Sequence, residues 1–161
     1  MNFIDLLLEK HECLRTSIRG LNAMLGEASG VGWDDRRPLD REGFSRAVAE
    51  FYDAFKAHEA VEDEYLSGLI SRLGIDSTLN GAIADGHRSL ETLTRLCSAI
   101  TGDCDGDHVY GVRLIVIHLS AALERHLSFE EREVFPRLRE RLPAGLLREL
   151  GRSAGAKGAV V

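Results

Sequence analysis

The chain has 161 residues, 44% of them hydrophobic and 29% charged, which fits one folded domain and excludes a disordered or collagen-like polymer. A domain of this length can bury about 70% of the surface that its unfolded chain exposes, so a sizeable core needs no covalent staples. The net charge is -6, and no basic run is long enough to follow a phosphate backbone, so nucleic acid is excluded as an expected partner.

The N-terminal residues and the cysteines bear on the compartment. The first apolar run is interrupted by Asp5 and has no cationic start, so we expect neither a secretory signal nor a membrane span. Cys13, Cys97 and Cys104 are odd in number and lack Cys-x-x-Cys spacing, which argues against a disulfide framework or a thiolate zinc site. We interpret them as two core thiols and one loop thiol. The expected location is the cytoplasm, without a membrane partner.

Four long helices are predicted, because apolar residues recur at every third or fourth position. They cover residues 2–26, 40–74, 77–101 and 108–136. Asp40 is a good N-cap for the second helix and Gly74 supplies its stop, whereas Pro136 should kink or end the fourth helix. The sequence contains no alternating strand pattern and no internal repeat.

The connecting segments complete the predicted fold. Residues 28–40 are expected to form a loop, and residues 102–107 a turn that resembles a calcium loop only superficially, since the required later glutamate is missing. Residues 143–161 should add one short helix, ending near Leu150, and a flexible tail. The expected fold is all-α, with an up-down-up-down antiparallel four-helix bundle over residues 1–142.

Each predicted helix places a histidine in its apolar stripe. These histidines are His11, His58, His87 and His126. Glu62 and Glu130 follow two of them by four residues and therefore share their helix faces. In an up-down bundle, all six side chains lie within about two helical turns of one depth. Buried carboxylates are costly unless a partner neutralises them, and imidazole with carboxylate suits iron or zinc, so the pattern predicts a metal site.

Several side chains keep alternative interpretations. A lone core histidine is more often a hydrogen-bonded packing residue, so a bundle that never holds metal is the simplest alternative. Glu59 is either a solvated helix-face residue or an additional group near the metal. Tyr65 either donates a hydrogen bond to a carboxylate or fills the core. His118 is interpreted as a packing or pocket-lining residue, and His108 as an exposed one.

In this order and spacing, the chain resembles the hemerythrin family, specifically its HHE cation-binding branch, from the first helix to Pro136. The matching residues are His11, His58-x-x-x-Glu62, His87 and His126-x-x-x-Glu130-Glu131-x-x-x-Phe-Pro. The resemblance implies two iron ions with an oxo or hydroxo bridge inside the bundle, with the four histidines as terminal ligands. It also implies two bridging carboxylates, Glu62 and either Glu130 or Glu131. Helical phase favours Glu130, because Glu131 is rotated by about 100° unless the helix is locally distorted.

One position departs from the family pattern. Oxygen-carrying hemerythrins have two histidines one turn apart on the third helix, whereas this chain has Glu91 one turn after His87. With about six ligands for each iron, the implied set fills about ten of about twelve positions, and Glu91 would add one more. A carboxylate in place of an imidazole should favour the ferric state. Reversible oxygen carriage is therefore less expected than oxidative chemistry or sensing.

The resemblance implies a cytoplasmic metal-binding protein that binds dioxygen or a related small oxidant, such as nitric oxide or peroxide, for storage, sensing or detoxification. One alternative is an enzyme with the same ligands, either a peroxidase-like or catalase-like di-iron oxidoreductase or an iron donor in iron-sulfur repair. Another alternative is an iron-responsive module that binds a protein partner, and a homodimer is also compatible with the sequence.

Overall fold

The structure is a computed structural model that describes residues 1–26, 39–103 and 109–158. Within these ranges the chain is all-helical, as predicted, and no residue lies in a strand. The helices are α1 Phe3–Met24, α2 Arg41–Val61, α3 Ser67–Arg72, α4 Thr78–Asp103, α5 Val109–Phe129, α6 Phe135–Arg141 and α7 Ala144–Gly158. Two π-helical turns, Glu62–Leu66 and Glu130–Val134, join α2 to α3 and α5 to α6. None of the described helices is both long and apolar enough to cross a membrane.

Several predicted connections fall wholly or partly outside the described residues. Residues 28–38 of the predicted loop lie outside them, as do residues 104–107 of the predicted turn, with Cys104 and His108. The first two residues of that turn, 102 and 103, belong instead to α4.

Side chains of the preceding loops set the starts of α1 and α2. The Asn2 side chain accepts a hydrogen bond from the Asp5 backbone N–H at 3.0 Å, and the Asp5 carboxylate accepts one from the Asn2 N–H at 3.2 Å. The predicted N-cap Asp40 accepts a hydrogen bond from the Gly43 N–H at 3.1 Å. Gly74 follows α3 with a φ of 59°, a left-handed conformation that a glycine adopts without steric cost and that ends the helix.

Helices α1, α2, α4 and α5 pack in a closed ring, in which α1 contacts α2 and α5, and α4 contacts the same two helices. The buried residues form two apolar clusters. The first apolar cluster surrounds Phe44, Phe51 and Phe55, and the second apolar cluster surrounds Phe3, Leu66 and Phe135. Along each ring helix, buried polar residues stand where the stripe passes from one cluster to the other.

The helical backbone passes through Pro136, which corrects the expectation that Pro136 could end the fourth helix. The π turn before it gives the reason. The Phe135 N–H donates to the carbonyl of Glu130, five residues back, so the regular α-helical hydrogen bonds start again at α6. Pro136 then occupies one of the first positions of α6, where its missing N–H costs little.

The C-terminal segment is more helical than predicted. Helix α7 extends to Gly158 and packs against α1, whereas residues 151–161 were expected to form a flexible tail, and residues 159–161 lie outside the described part of the chain. Leu147 and Ala154 are buried two helical turns apart. Gly151 lies between them so close to the start of α1 that an added β-carbon would stand 2.7 Å from the backbone carbon of Asn2. The missing side chain of Gly151 therefore permits close packing of α7 on α1.

The two described cysteines differ in environment. Cys97 is buried in the first apolar cluster, as predicted. Cys13 is exposed, which corrects its assignment as a core thiol. Position 13 lies two residues after the buried His11, and two residues along an α-helix rotate a side chain by about 200°, to the opposite face.

Candidate metal centre

The six side chains predicted to converge lie in one buried layer between the two apolar clusters. They are His11, His58, Glu62, His87, His126 and Glu130, each at most 5% exposed. We call this set of six the polar layer. One histidine comes from each ring helix, and each glutamate is the first residue of a π turn. The sequence therefore identified a set of residues that the fold brings together.

The ligand atoms of the polar layer form two groups that share both glutamates. The groups are His11, His58, Glu62 and Glu130, and Glu62, His87, His126 and Glu130. Within each group the ligand atoms lie within 4.8 Å of one another. Two imidazole pairs on either side of two shared carboxylates could hold two metal ions next to each other.

The carboxylate of Glu62 faces both histidine pairs. Its Oε1 lies 3.3 Å from Nε2 of His58, and its Oε2 lies 3.0 Å from Nε2 of His87. The two oxygens therefore point to different groups, which is the orientation required of a carboxylate that bridges two ions.

Glu130 repeats this arrangement from the other side of the ring. Its Oε2 lies 3.1 Å from Nε2 of His11 and 3.9 Å from Nε2 of His58, and its Oε1 lies 3.2 Å from Nε2 of His126. Of the two glutamates that the sequence left open as a bridge, Glu130 belongs to both groups, whereas Glu131 belongs to neither.

Most polar atoms of the layer lack a hydrogen bond despite complete burial. The atoms without a partner are Nε2 of His11, both ring nitrogens of His58, Oε1 of Glu62, Nε2 of His126 and both carboxylate oxygens of Glu130. The short N···O separations are mostly not aligned as hydrogen bonds, and only the contact of His87 with Glu62 meets that geometry. An unsatisfied buried polar atom costs about 1–3 kcal/mol. Metal ions would accept these lone pairs, so the donor set fits a pair of cations.

Burial shifts the pKa values of the two glutamates and of three histidines in the polar layer towards favouring the neutral forms. Desolvation raises the pKa of Glu62 to about 8, and desolvation together with the charge of Glu62 raises the pKa of Glu130 to about 8. Desolvation lowers the pKa of His126 to about 3, and it lowers the pKa of His58 and His87 below the usual histidine value. These three histidines are thus neutral at physiological pH, which is the form that ligates a metal.

The π turns change which residues face inward after each shared glutamate. Regular α-helical spacing would turn Tyr65 and Leu69 inward after Glu62, but both are only half-buried, whereas Leu66 and Ile70 are buried. A π turn holds more residues than an α turn, so the inward face moves forward along the sequence. The sequence feature that could have indicated the π turns is a strict four-residue spacing of inward-facing residues. In a regular helix of 3.6 residues per turn, residues at this spacing drift away from one face. The spacing occurs in His58, Glu62, Leu66 and Ile70, and again in His126, Glu130, Val134 and Leu138.

An ion-paired network that the sequence did not reveal supports His11 from outside. Nδ1 of His11 lies 2.8 Å from Oε1 of Glu131, and the Arg15 guanidinium donates to the same oxygen at 2.8 Å. Arg15 also donates two hydrogen bonds to Glu124, at 3.0 and 3.1 Å. These carboxylates raise the pKa of Arg15, and the hydrogen bonds from Arg15 and His11 lower the pKa of Glu131 despite its desolvation. The sequence feature that could have indicated this network is Arg15, which lies one helical turn after His11.

Glu59 and Glu91 lie outside both ligand groups. Glu59 forms an ion pair with Lys56, and its Oε1 lies 3.7 Å from Nδ1 of His87, so it adjoins the polar layer without joining it. Glu91, included among the candidate ligands from the sequence, belongs to neither group in the structure. Its carboxylate accepts hydrogen bonds from Arg95 at 2.6 Å and from the Tyr52 hydroxyl of α2 at 3.4 Å.

Two further candidates belong to neither ligand group. Tyr65 is half-buried, and its ring packs against Phe3 with a centroid separation of 5.8 Å. His118 is exposed on α5, which corrects its assignment as a packing or pocket-lining residue.

A surface groove of about 530 Å³ flanks the half of the layer that contains His87 and His126. Its walls come from α4 and α5, and its lining residues are Asp85, Arg88, Ser89, Thr92, Leu93, Ala122 and Arg125. Asp85 and Arg125 immediately precede Gly86 and His126, so the groove lies beside the place where these two helices meet at the layer.

Comparisons of the chain with protein-family models, curated proteins and solved structures found no match. The function is therefore inferred from the residues of the polar layer. These residues could hold metal ions without any further side chain, because they share two carboxylates and have buried lone pairs without hydrogen bonds.

Proposed function

We propose that the chain is a hemerythrin-like protein whose polar layer holds two iron ions and binds dioxygen or a related small oxidant. The observation that carries the proposal is the division of the two carboxylates between two histidine pairs. Each oxygen of Glu62 and of Glu130 faces a different pair, at 3.0–3.3 Å from the nearest imidazole nitrogen. A single metal ion would not require the two oxygens of each carboxylate to face different histidine pairs.

Each residue has a defined task in this proposal. The four histidines would hold the ions through Nε2, and the carboxylates of Glu62 and Glu130 would be shared between the two ions. The pair of iron ions, with its oxo or hydroxo bridge, supplies a change of oxidation state beside open coordination positions. Both carboxyl groups are mostly protonated at neutral pH in the metal-free protein, because their pKa values are raised. Metal loading should therefore release protons from Glu62 and Glu130.

The proposal includes an antiparallel arrangement of the four ring helices. Leu14 and Leu21 of α1 share the first apolar cluster with Phe44 and Phe51 of α2, so the C-terminal half of α1 meets the N-terminal half of α2. At the other side of the polar layer, Phe3 and the residues after α2 share the second cluster. This pairing supports an up-down connection of the first two ring helices.

The free thiols of Cys13 and Cys97 support a reducing, cytoplasmic location.

The burial of the layer restricts the ligand to a small molecule. No ligand residue is more than 5% exposed, so a molecule of a few atoms fits this environment better than an organic substrate. With Glu91 outside the layer, the polar layer would offer each ion about four protein donors, and a solvent oxygen shared by the ions would bring this to about five of about six positions. Each ion therefore keeps an open position, rather than one ion alone.

An open position on both ions also favours a second candidate function, a di-iron oxidoreductase that consumes peroxide. The two oxygen atoms of peroxide match two neighbouring sites. Turnover of hydrogen peroxide by the iron-loaded protein would distinguish this enzyme from a protein that only binds the oxidant.

The proposal is tested by metal analysis and absorption spectra on the untagged protein loaded anaerobically with ferrous salt. We expect about two iron ions per chain and a spectrum that changes on addition of nitric oxide. His126→Ala should lose at least one ion, whereas His118→Ala, at the exposed histidine of the same helix, should bind as the wild type does. Wild-type protein that retains no iron after loading, or a spectrum indifferent to nitric oxide, would contradict the proposal.

A further inference from the structure

We propose that Glu131, held in place by Arg15, is a positioning residue for His11, and that it makes the half of the polar layer containing His11 and His58 the tighter of the two metal positions. The inference rests on the proposed two-metal function. It concerns residues outside the ligand set, which determine how each ion is held.

The contact between His11 and Glu131 determines which ring nitrogen faces the metal. Glu131 lies 2.8 Å from Nδ1 of His11 and is paired with a guanidinium, so it is an ionised acceptor and Nδ1 must be the N–H donor. The lone pair of His11 is then at Nε2, which lies 3.1 Å from Glu130 and has no hydrogen bond. The hydrogen bond thereby fixes both the tautomer and the orientation of the ring.

Arg15 prevents Glu131 from turning to solvent. One guanidinium nitrogen donates to Glu131, and two others form the double contact with Glu124. The Glu131 side chain is 27% exposed and that of Glu124 is 58% exposed, so the network leads from the surface inward to the layer. The planar guanidinium serves both carboxylates at once, which a lysine ammonium cannot do with the same geometry.

The other histidines lack an equivalent contact. In the described part of the chain, Nδ1 of His58 has no hydrogen-bond partner. Nδ1 of His87 lies 3.7 Å from Glu59, beyond hydrogen-bond distance, and Glu59 is engaged by Lys56. The Nδ1 side of His126 faces the backbone of Gly86.

A carboxylate that accepts the second N–H of a ligating imidazole raises the basicity of that ligand, and its removal typically lowers metal affinity by about 10–100-fold. Because His11 belongs to only one of the two groups, the effect should be confined to one ion. The two halves of the layer, alike in their direct ligands, therefore differ in affinity.

The test is an anaerobic calorimetric titration of the metal-free protein with ferrous iron, using the wild type, Glu131→Gln and Glu133→Gln. The wild type should bind in two resolved steps. Glu131→Gln should weaken the tighter step by about tenfold, because an amide keeps an acceptor without the charge, and leave the weaker step unchanged. Glu133→Gln removes the same charge from the same π turn at a residue that pairs with Arg137, and should match the wild type.

Two further arms establish that Glu131 acts through His11. In a His11→Ala background, Glu131→Gln should change nothing, since the contact is already lost. Mössbauer spectra of the ⁵⁷Fe-loaded protein should show two unequal iron environments, of which Glu131→Gln alters one. Far-UV circular dichroism of each metal-free variant confirms that it is folded.

The outcomes separate this inference from the proposed function. Wild-type protein that does not bind two ions refutes the proposed function. Wild-type protein that binds two ions, with Glu131→Gln identical to it or weakened equally in both steps, overturns only the positioning role of Glu131.

Discussion

Gly86 of α4 lies directly against the imidazole of His126, with no room for a β-carbon between them. A β-carbon at Gly86 would overlap Nδ1 of that ring and stand 3.1 Å from its Cγ. A glycine inside a helix costs about 0.5–1 kcal/mol relative to alanine. Here the missing side chain lets α4 and α5 approach closely enough for the rings of His87 and His126 to meet, with a centroid separation of 4.7 Å.

Gly86→Ala should therefore displace His126 and lower the iron content of the loaded protein to about one ion per chain or less. Gly81→Ala is the matched control on the same helix, because nothing lies within 4 Å of a β-carbon there. The control should keep full iron content and gain about 0.5–1 kcal/mol of stability. Retention of two ions by Gly86→Ala would show that the ring does not need this space.

Removal of a shared carboxylate should lower the iron content per chain more than removal of a histidine does. Glu130→Ala leaves both ligand groups incomplete, so we expect near-complete loss of iron. His87→Ala affects only one group, so about one ion per chain should remain. Metal analysis after desalting measures both. Equal losses in the two variants would indicate that Glu130 serves only one ion.

The metal-free protein should be most stable near pH 5–6, and two opposing shifts set this optimum. An unfolded glutamate has a pKa of about 4.3, whereas Glu62 and Glu130 have a pKa of about 8 when folded. The unfolded state releases protons that the folded state keeps, so stability falls as pH rises from about 5 to about 8. The lowered pKa values of His58 and His126 act oppositely. Below pH about 6.5 these histidines bind protons in the unfolded state but not in the folded state, so the free energy of unfolding also falls as the pH is lowered.

Thermal midpoints measured in chelator between about pH 4 and pH 9 test this profile. With metal bound, the loss towards pH 8 should disappear, because cations stabilise both carboxylates in the ionised form. A metal-free protein equally stable at pH 5 and pH 8 would argue against burial of ionisable glutamates.

The contact of α7 with α1 gives a prediction on stability. Gly151→Ala should destabilise the protein, because the new methyl group would meet the backbone of Asn2 and Phe3 at 2.7–2.8 Å. Gly155→Ala, one turn later with nothing within 4 Å, should stabilise it by about 0.5–1 kcal/mol. Chemical denaturation of both variants measures the difference. A stable Gly151→Ala protein would mean that α7 shifts along α1 without cost.

The four ring helices and the residues of the polar layer were predictable, because both follow from local periodicity. Apolar residues at three- and four-residue steps determine each buried face, and His11, His58, His87 and His126 occupy those steps. The buried carboxylates Glu62 and Glu130 were conspicuous for the same reason.

Contacts between distant helices were not predictable in this way. The pairing of Arg15 with Glu124 and Glu131 depends on how α1 lies against α5, which periodicity does not specify. The contact of Glu91 with the Tyr52 hydroxyl likewise joins α4 to α2, whereas its pairing with Arg95, four residues later on the same helix, was indicated by the spacing alone. Helix α7 was underestimated because glycine content favours a tail, unless the neighbouring surface of α1 is known.

The position of the polar layer between two apolar clusters also bears on cooperativity. Neither cluster continues through the layer, so in the metal-free protein the ends of the molecule share few apolar contacts. We expect native-state hydrogen exchange to reveal two separately opening units in that form, with α3, α6 and α7 exchanging together. Metal bound by ligands from all four ring helices would merge these units, so that the protein opens as a whole or not at all.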